Sequence, residues 1–101
     1  MDDLPVTPEG RVKAEIKREL KARGDYFFMP VPGGYGAPSV DILVCSVGRF
    51  IAIECKRPGG KPTARQKNTL REIAAAGGLA VVATCWAEVQ HVIESNQSHG
   101  F

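Results

Sequence analysis

The chain has 101 residues, 44% of them apolar, with 13 lysines and arginines against 11 acids and a formal charge of +2. That length suits a single domain spanning residues 1–101, with a core over 7–94. No apolar run approaches the ~20 residues of a membrane span, and the acidic start Met1-Asp2-Asp3-Leu4-Pro5 has no long apolar stretch after it, unlike a secretory signal. Three scattered cysteines, Cys45, Cys55 and Cys85, fit neither a disulfide framework nor a zinc knuckle, which makes a reducing cytoplasm the simplest location.

Thr7-Pro8-Glu9 reads as a helix start, with Thr as N-cap, Pro in the first turn and an acid beside the positive end of the dipole. Val12, Ile16 and Leu20 recur every four residues and form one apolar stripe, flanked or opposed by Lys13, Lys17 and Lys21, and Gly24 is placed to stop the helix. Asp25–Val31 is aromatic-rich and reads as a first strand, with Pro30 at its exit. Pro32–Pro38 (PGGYGAP) is a turn or loop.

Two strands, Asp41–Cys45 and Phe50–Lys56, flank the turn Ser46-Val47-Gly48-Arg49 and predict a hairpin. Arg57–Pro62 is a basic loop. Thr63 and Gln66 form a capping-box pattern before a helix carrying Leu70, Ile73 and Ala74, which Gly77-Gly78 end. Leu79–Thr84 is a buried strand, Trp86–Glu94 an amphipathic helix with Trp86 in the core or at a subunit interface, and Ser95–Phe101 a polar tail expected to fray. The predicted order is αβββαβα, an α/β fold with one central mixed sheet flanked by helices.

The small net charge hides an uneven distribution. Six bases lie between Arg11 and Arg23, and seven more lie between Arg49 and Arg71 against the single acid Glu54, a local charge of +6. Two solvated faces would account for this pattern; an anionic partner is the more specific reading.

Candidate chemistry sits in the hairpin. A turn centred between Val47 and Gly48 pairs Asp41 with Glu54, their Cβ atoms ~4.5–5.5 Å apart, and strand alternation puts Lys56 on the Glu54 side with Cys55 opposite. Like charges facing each other need compensation. A divalent cation such as Mg²⁺ or Mn²⁺ would provide it, and so would a structural triad of Asp41, Glu54 and Lys56; the hairpin alone leaves both open. The loop Arg57-Pro58-Gly59-Gly60-Lys61 tips the balance, because it puts cations and glycine amides where a phosphate backbone would pass. On the first helix, Glu9 projects within roughly 20° of the stripe centre and so faces the protein, whereas Glu15, about 100° away, is expected to face solvent.

Asp41 followed by Glu54-Cys55-Lys56 resembles the D…(D/E)xK signature of restriction-endonuclease-like nucleases. The segments TPEGRVKAEIKREL, YFFMPVPGGYG, GRFIAIECKRPGGKPTARQ and the AGG before LAVVAT resemble the virus-type replication-repair nuclease (VRR-NUC) domain in its small standalone phage-like form, over residues 7–85.

The resemblance implies a restriction-endonuclease-like fold and an Mg²⁺- or Mn²⁺-dependent endonuclease acting on branched or junction DNA, leaving 5′-phosphate and 3′-hydroxyl ends. It also implies a homodimer in a phage-infected or bacterial cytosol. By the same resemblance Asp41, Glu54 and the Cys55 carbonyl would bind the metal, and Lys56 would position or polarise the attacking water. Glu9 would reach the metal directly or through water, and Gln66 would orient groups of the site while also serving the capping box. Arg57, Lys61, Arg65 and Lys67 would contact DNA. The family has Pro before its aspartate; Ser39-Val40 stand there in this chain, which puts the local backbone path in question. Tyr35 in the PGGYG loop reads as a packing residue, with base stacking as the alternative. Neither PGGYG nor GGKPT has P-loop spacing, and His91 and His99 have no partner at catalytic spacing.

Overall fold

The computed structural model describes residues 7–31 and 40–101; the loop expected over Pro32–Pro38, Tyr35 and the acidic first residues lie outside that range. The element order is α1 (Pro8–Arg23), β1 (Tyr26–Phe28), β2 (Ile42–Ser46), β3 (Arg49–Cys55), α2 (Ala64–Ala75), β4 (Leu79–Ala83) and α3 (Trp86–Ser95). This is the αβββαβα order predicted above.

Helix α1 begins where Thr7 Oγ1 accepts the Gly10 amide at 3.0 Å, and it ends at Gly24, whose φ of 82° is the left-handed conformation that favours glycine. Its stripe Val12, Ile16 and Leu20 is buried. Helix α2 carries the complete capping box: Thr63 Oγ1 accepts the Gln66 amide and Gln66 Oε1 accepts the Thr63 amide.

The sheet runs β1-β2-β3-β4, antiparallel through the first three strands and parallel between β3 and β4. The β2–β3 connection has two residues, Val47 at φ 48° and Gly48 at φ 78°, the positive-φ pair of a type I′ turn, whose twist suits a hairpin. Ser46 pairs with Arg49 and Ile42 with Ile53, so the expected register holds.

Alternation then sorts the core into two layers. Ile42, Val44, Ile51, Ile53 and Cys55 pack with α1 and α3, including Ile16, Leu20, Val89 and Val92. On the other face Ala52, Ala80 and Val82 pack against Leu70 of α2 and against Val40. Val40, where the resemblance anticipates proline, fills this second layer at 4% exposure.

Three expectations need correction. The first strand spans Tyr26–Phe28, not 25–31, because its partner β2 has three residues opposite it. Glu15 does not face solvent: its Oε2 accepts the Trp86 amide at 2.7 Å and caps α3, whose N-cap residue Cys85 makes no side-chain capping bond. The tail does not fray. The His99 amide bonds the Ala80 carbonyl, the Val82 amide bonds the His99 carbonyl, and Ser98 Oγ accepts the Ala80 amide, while Phe101 joins the second core layer. Trp86 is half-buried against the first layer, with the Arg23 guanidinium 5.8 Å from its ring centre.

Candidate functional site

The site lies at the sheet end where β2 starts and β3 finishes. Backbone pairing ends at Ile42–Ile53; Asp41, just before β2, and Glu54, near the end of β3, line one cavity, close enough that Asp41 acts on the Glu54 carboxyl by charge and hydrogen bonding. In this hairpin the next hydrogen-bonded pair would be Val40 with Cys55. Asp41 takes that place with its side chain: Oδ2 accepts the Cys55 amide at 2.8 Å. The Cys55 carbonyl leaves the same side of β3 as its amide and so faces the Asp41 side.

Glu54 is 3% exposed. Its Oε2 accepts the side-chain amide of Gln66 at 2.9 Å and stands 3.8 Å from Lys56 Nζ. Gln66 therefore holds both roles considered for it, since its oxygen closes the α2 capping box while its nitrogen orients Glu54. Lys56 Nζ is 3.9 Å from Glu9 Oε1 at the start of α1. Glu9 thus joins the site by way of Lys56, with a side chain 44% exposed.

Sequence reasoning missed Lys13. Its Nζ lies 3.2 Å from Asp41 Oδ1, and it lines a cavity of about 240 Å³ with Met29, Pro30, Val40, Asp41, Glu54 and Gln66. Lys13 follows Glu9 by one helical turn, so it points the same way, and that spacing was the available signal.

Burial is the main reason that Glu54 is pushed up to about 8 from its ordinary 4.5; the charge and hydrogen bonding of Asp41 add to it, Glu9 contributes further, and Lys56 opposes. Cys55 is pushed up to about 12, again chiefly by burial and then by Asp41, and its sulfur sits in the first core layer. It is packing, not a nucleophile.

Among the described residues no three His, Cys, Asp or Glu side chains converge as a ligand cluster. The convergent acids are Asp41 and Glu54. The donor set available to a cation is consequently all oxygen: two carboxylates and the Cys55 carbonyl. Those are hard donors, suited to Mg²⁺ or Mn²⁺ with several waters retained, and the cavity has room for waters of roughly 30 Å³ each. A carboxylate buried beside a second carboxylate fits such an ion.

The four bases expected to meet DNA follow Lys56 in the loop after β3 and at the start of α2. Arg57, Lys61 and Arg65 are exposed and Lys67 is half-buried; none forms an ion pair among the described residues. Lys61 and Lys67 line a second cavity of about 470 Å³ with Gly59, Gly60, Thr84 and Glu88. The rings of His91 and His99 are 6.5 Å apart, and His99 Nε2 stands 3.9 Å from Glu88 Oε2. No helix among the described residues is long and apolar enough to cross a membrane.

No family model and no curated protein matches the chain. A solved structure described as "VRR_NUC domain" superposes with a TM-score of 0.73 at 24% identity, covering 88% of this chain and 97% of that one. The mixed four-stranded sheet, its three helices and this superposition give the chain the restriction-endonuclease-like fold of a VRR_NUC domain.

Proposed function

We propose that the chain is a metal-dependent DNA endonuclease that hydrolyses phosphodiester bonds. The observation that carries this reading is the facing pair Asp41 and Glu54, with Lys56 3.8 Å from Glu54 and Gln66 bonded to it at 2.9 Å, in the fold of a VRR_NUC domain. Asp41, Glu54 and the Cys55 carbonyl would hold Mg²⁺ or Mn²⁺, with Glu9 reaching it through water. When bound, the ion supplies charge stabilisation at the phosphate and lowers the pKa of water.

This chain's residues do the positioning. Gln66 fixes the carboxylate plane of Glu54. Lys56, held between Glu54 and Glu9, orients the attacking water and offsets the charge that grows on the phosphoryl oxygens. Arg57, Lys61, Arg65 and Lys67 bind backbone phosphates to one side. The leaving group is the 3′ oxygen, which gives 5′-phosphate and 3′-hydroxyl ends. Branched or junction DNA, as met in replication, recombination and repair, is the proposed substrate. A cytoplasmic homodimer would bring two such sites to opposing strands.

The deciding experiment is cleavage of a labelled four-way junction with Mg²⁺ or Mn²⁺ by the wild type, Glu54→Ala and Lys56→Ala. Each variant is expected to lose at least ~100-fold in rate. Equal cleavage by all three would sink the assignment, and salt-sensitive binding without cleavage would make the chain a nucleic-acid-binding module instead.

A further inference from the structure

The sheet face that bears the carboxylates is covered over only part of its width. Helix α2 packs on β3 and β4, and among the described residues no element covers the outward surface of β1 and β2. Pairing places two rows across that surface. Tyr26, Cys45 and Phe50 form one row and Phe28, Leu43 and Ala52 the next. Past the end of this pairing, Pro30, Asp41 and Glu54 line one cavity. Successive rows are ~6.8 Å apart along the strands. Tyr26 is 71% exposed, Phe50 50% and Phe28 48%, and with Leu43 and Cys45 they line a shallow hollow of about 110 Å³. Among the described residues no charged side chain lines it.

We infer that this aromatic face is a stacking platform for unpaired bases of the nucleic acid whose phosphate reaches Asp41 and Glu54, so that the preferred substrate carries a single-stranded segment at the cleavage point. The inference rests on the nuclease reading for the position of the phosphate. Exposed rings on an open sheet take bases by their π-faces, with no need for charge beneath the base, while cations follow the backbone. Both parts are present: rings on β1 and β3, and the basic residues Arg57, Lys61, Arg65 and Lys67 in the loop after β3 and at the start of α2. A second copy of the chain suits the patch less well. Three half-exposed rings offer roughly 300 Å², against the ~800 Å² per partner of a stable interface, and β1 has only three residues to pair.

The test is binding of the full chain, without divalent metal, to a fluorescent single-stranded oligonucleotide and to a blunt duplex of the same length. A Tyr26→Ser/Phe28→Ser variant, checked for folding by circular dichroism, should bind the single strand about 5- to 100-fold more weakly and the duplex within about 2-fold of wild type. Tyr26→Trp should keep single-strand affinity, and its added indole emission should be quenched on binding. Wild type that binds no single strand, or a folded double variant that binds it unchanged, overturns the proposal. So does a double variant that turns a dimer into a monomer with single-strand affinity intact, which would make the face a contact between copies. Because binding is read without metal, ring-dependent binding by a protein that never cleaves would refute the nuclease reading and leave the platform standing. Cleavage indifferent to the rings would do the reverse.

Discussion

Lys13 Nζ stands 3.2 Å from Asp41 Oδ1, while Oδ2 of the same carboxylate holds the Cys55 amide at 2.8 Å. Both oxygens of a proposed metal ligand are therefore engaged, one of them by a cation that a metal must displace or tolerate. Lys13→Met removes that competitor. Because a partly exposed pair contributes up to ~1 kcal/mol, Mn²⁺ affinity measured by titration calorimetry should rise by up to about 5-fold. An unchanged affinity would show that the ammonium and the metal do not compete.

Glu54 gives a pH test. Its folded-state pKa of about 8 lies above the ordinary 4.5, so its contribution to stability is fully present below pH 4.5 and is lost as pH rises through 8. Glu54→Gln keeps a neutral group there at every pH. In metal-free buffer the variant should melt with the wild type at pH 4 and at least ~4 °C higher at pH 9, the shift expected for about 1 kcal/mol in a domain of this size. Added Mn²⁺ should raise the wild-type melting temperature and leave the variant unmoved. Parallel melting curves across the pH range would contradict this account.

Glu15 crosses from α1 to cap α3, its Oε2 2.7 Å from the Trp86 amide. Glu15→Ala should cost ~1 kcal/mol, as loss of an N-cap does, and lower the melting temperature by about 4–8 °C. Junction cleavage well below that temperature should be unaffected.

The three cysteines differ in environment. Cys45 is exposed, Cys85 intermediate and Cys55 buried, with the Cys55 thiol pushed up to about 12. Native protein treated with a maleimide at neutral pH should take label at Cys45 and Cys85, and at Cys55 only after denaturation. Peptide mass spectrometry reads the sites directly.

What was legible in the chain was the local chemistry. Thr7, Gly24 and the Thr63–Gln66 box announced their helix ends, and a turn centred between Val47 and Gly48 gave the β2–β3 register from Ser46–Arg49 to Ile42–Ile53, which a one-residue slip would have lost by turning every side chain over. The misses share a cause: each depends on a partner distant in sequence. A helical wheel places Lys13 roughly 60° from the stripe centre, yet its four-carbon stem carries the ammonium back to Asp41. The wheel turned Glu15 away from the sheet correctly, but it could not know that α3 would pack beside α1. The tail looked polar and unattached because the strand that orders it is β4, some twenty residues earlier.

That tail has a second consequence. A sheet has two margins, and each one left open is a template on which a strand from another molecule can add. At one margin β1 offers three residues before Pro30 ends the pairing potential. The other margin is β4, buried along its whole length, and Ser98 and His99 occupy its outward amides and carbonyl. A chain shortened to end at Gln97 should keep its carboxylate pair yet scatter light increasingly on concentration, as copies meet through β4. Ser98 and His99 are what keep an apolar strand from zipping onto its neighbour.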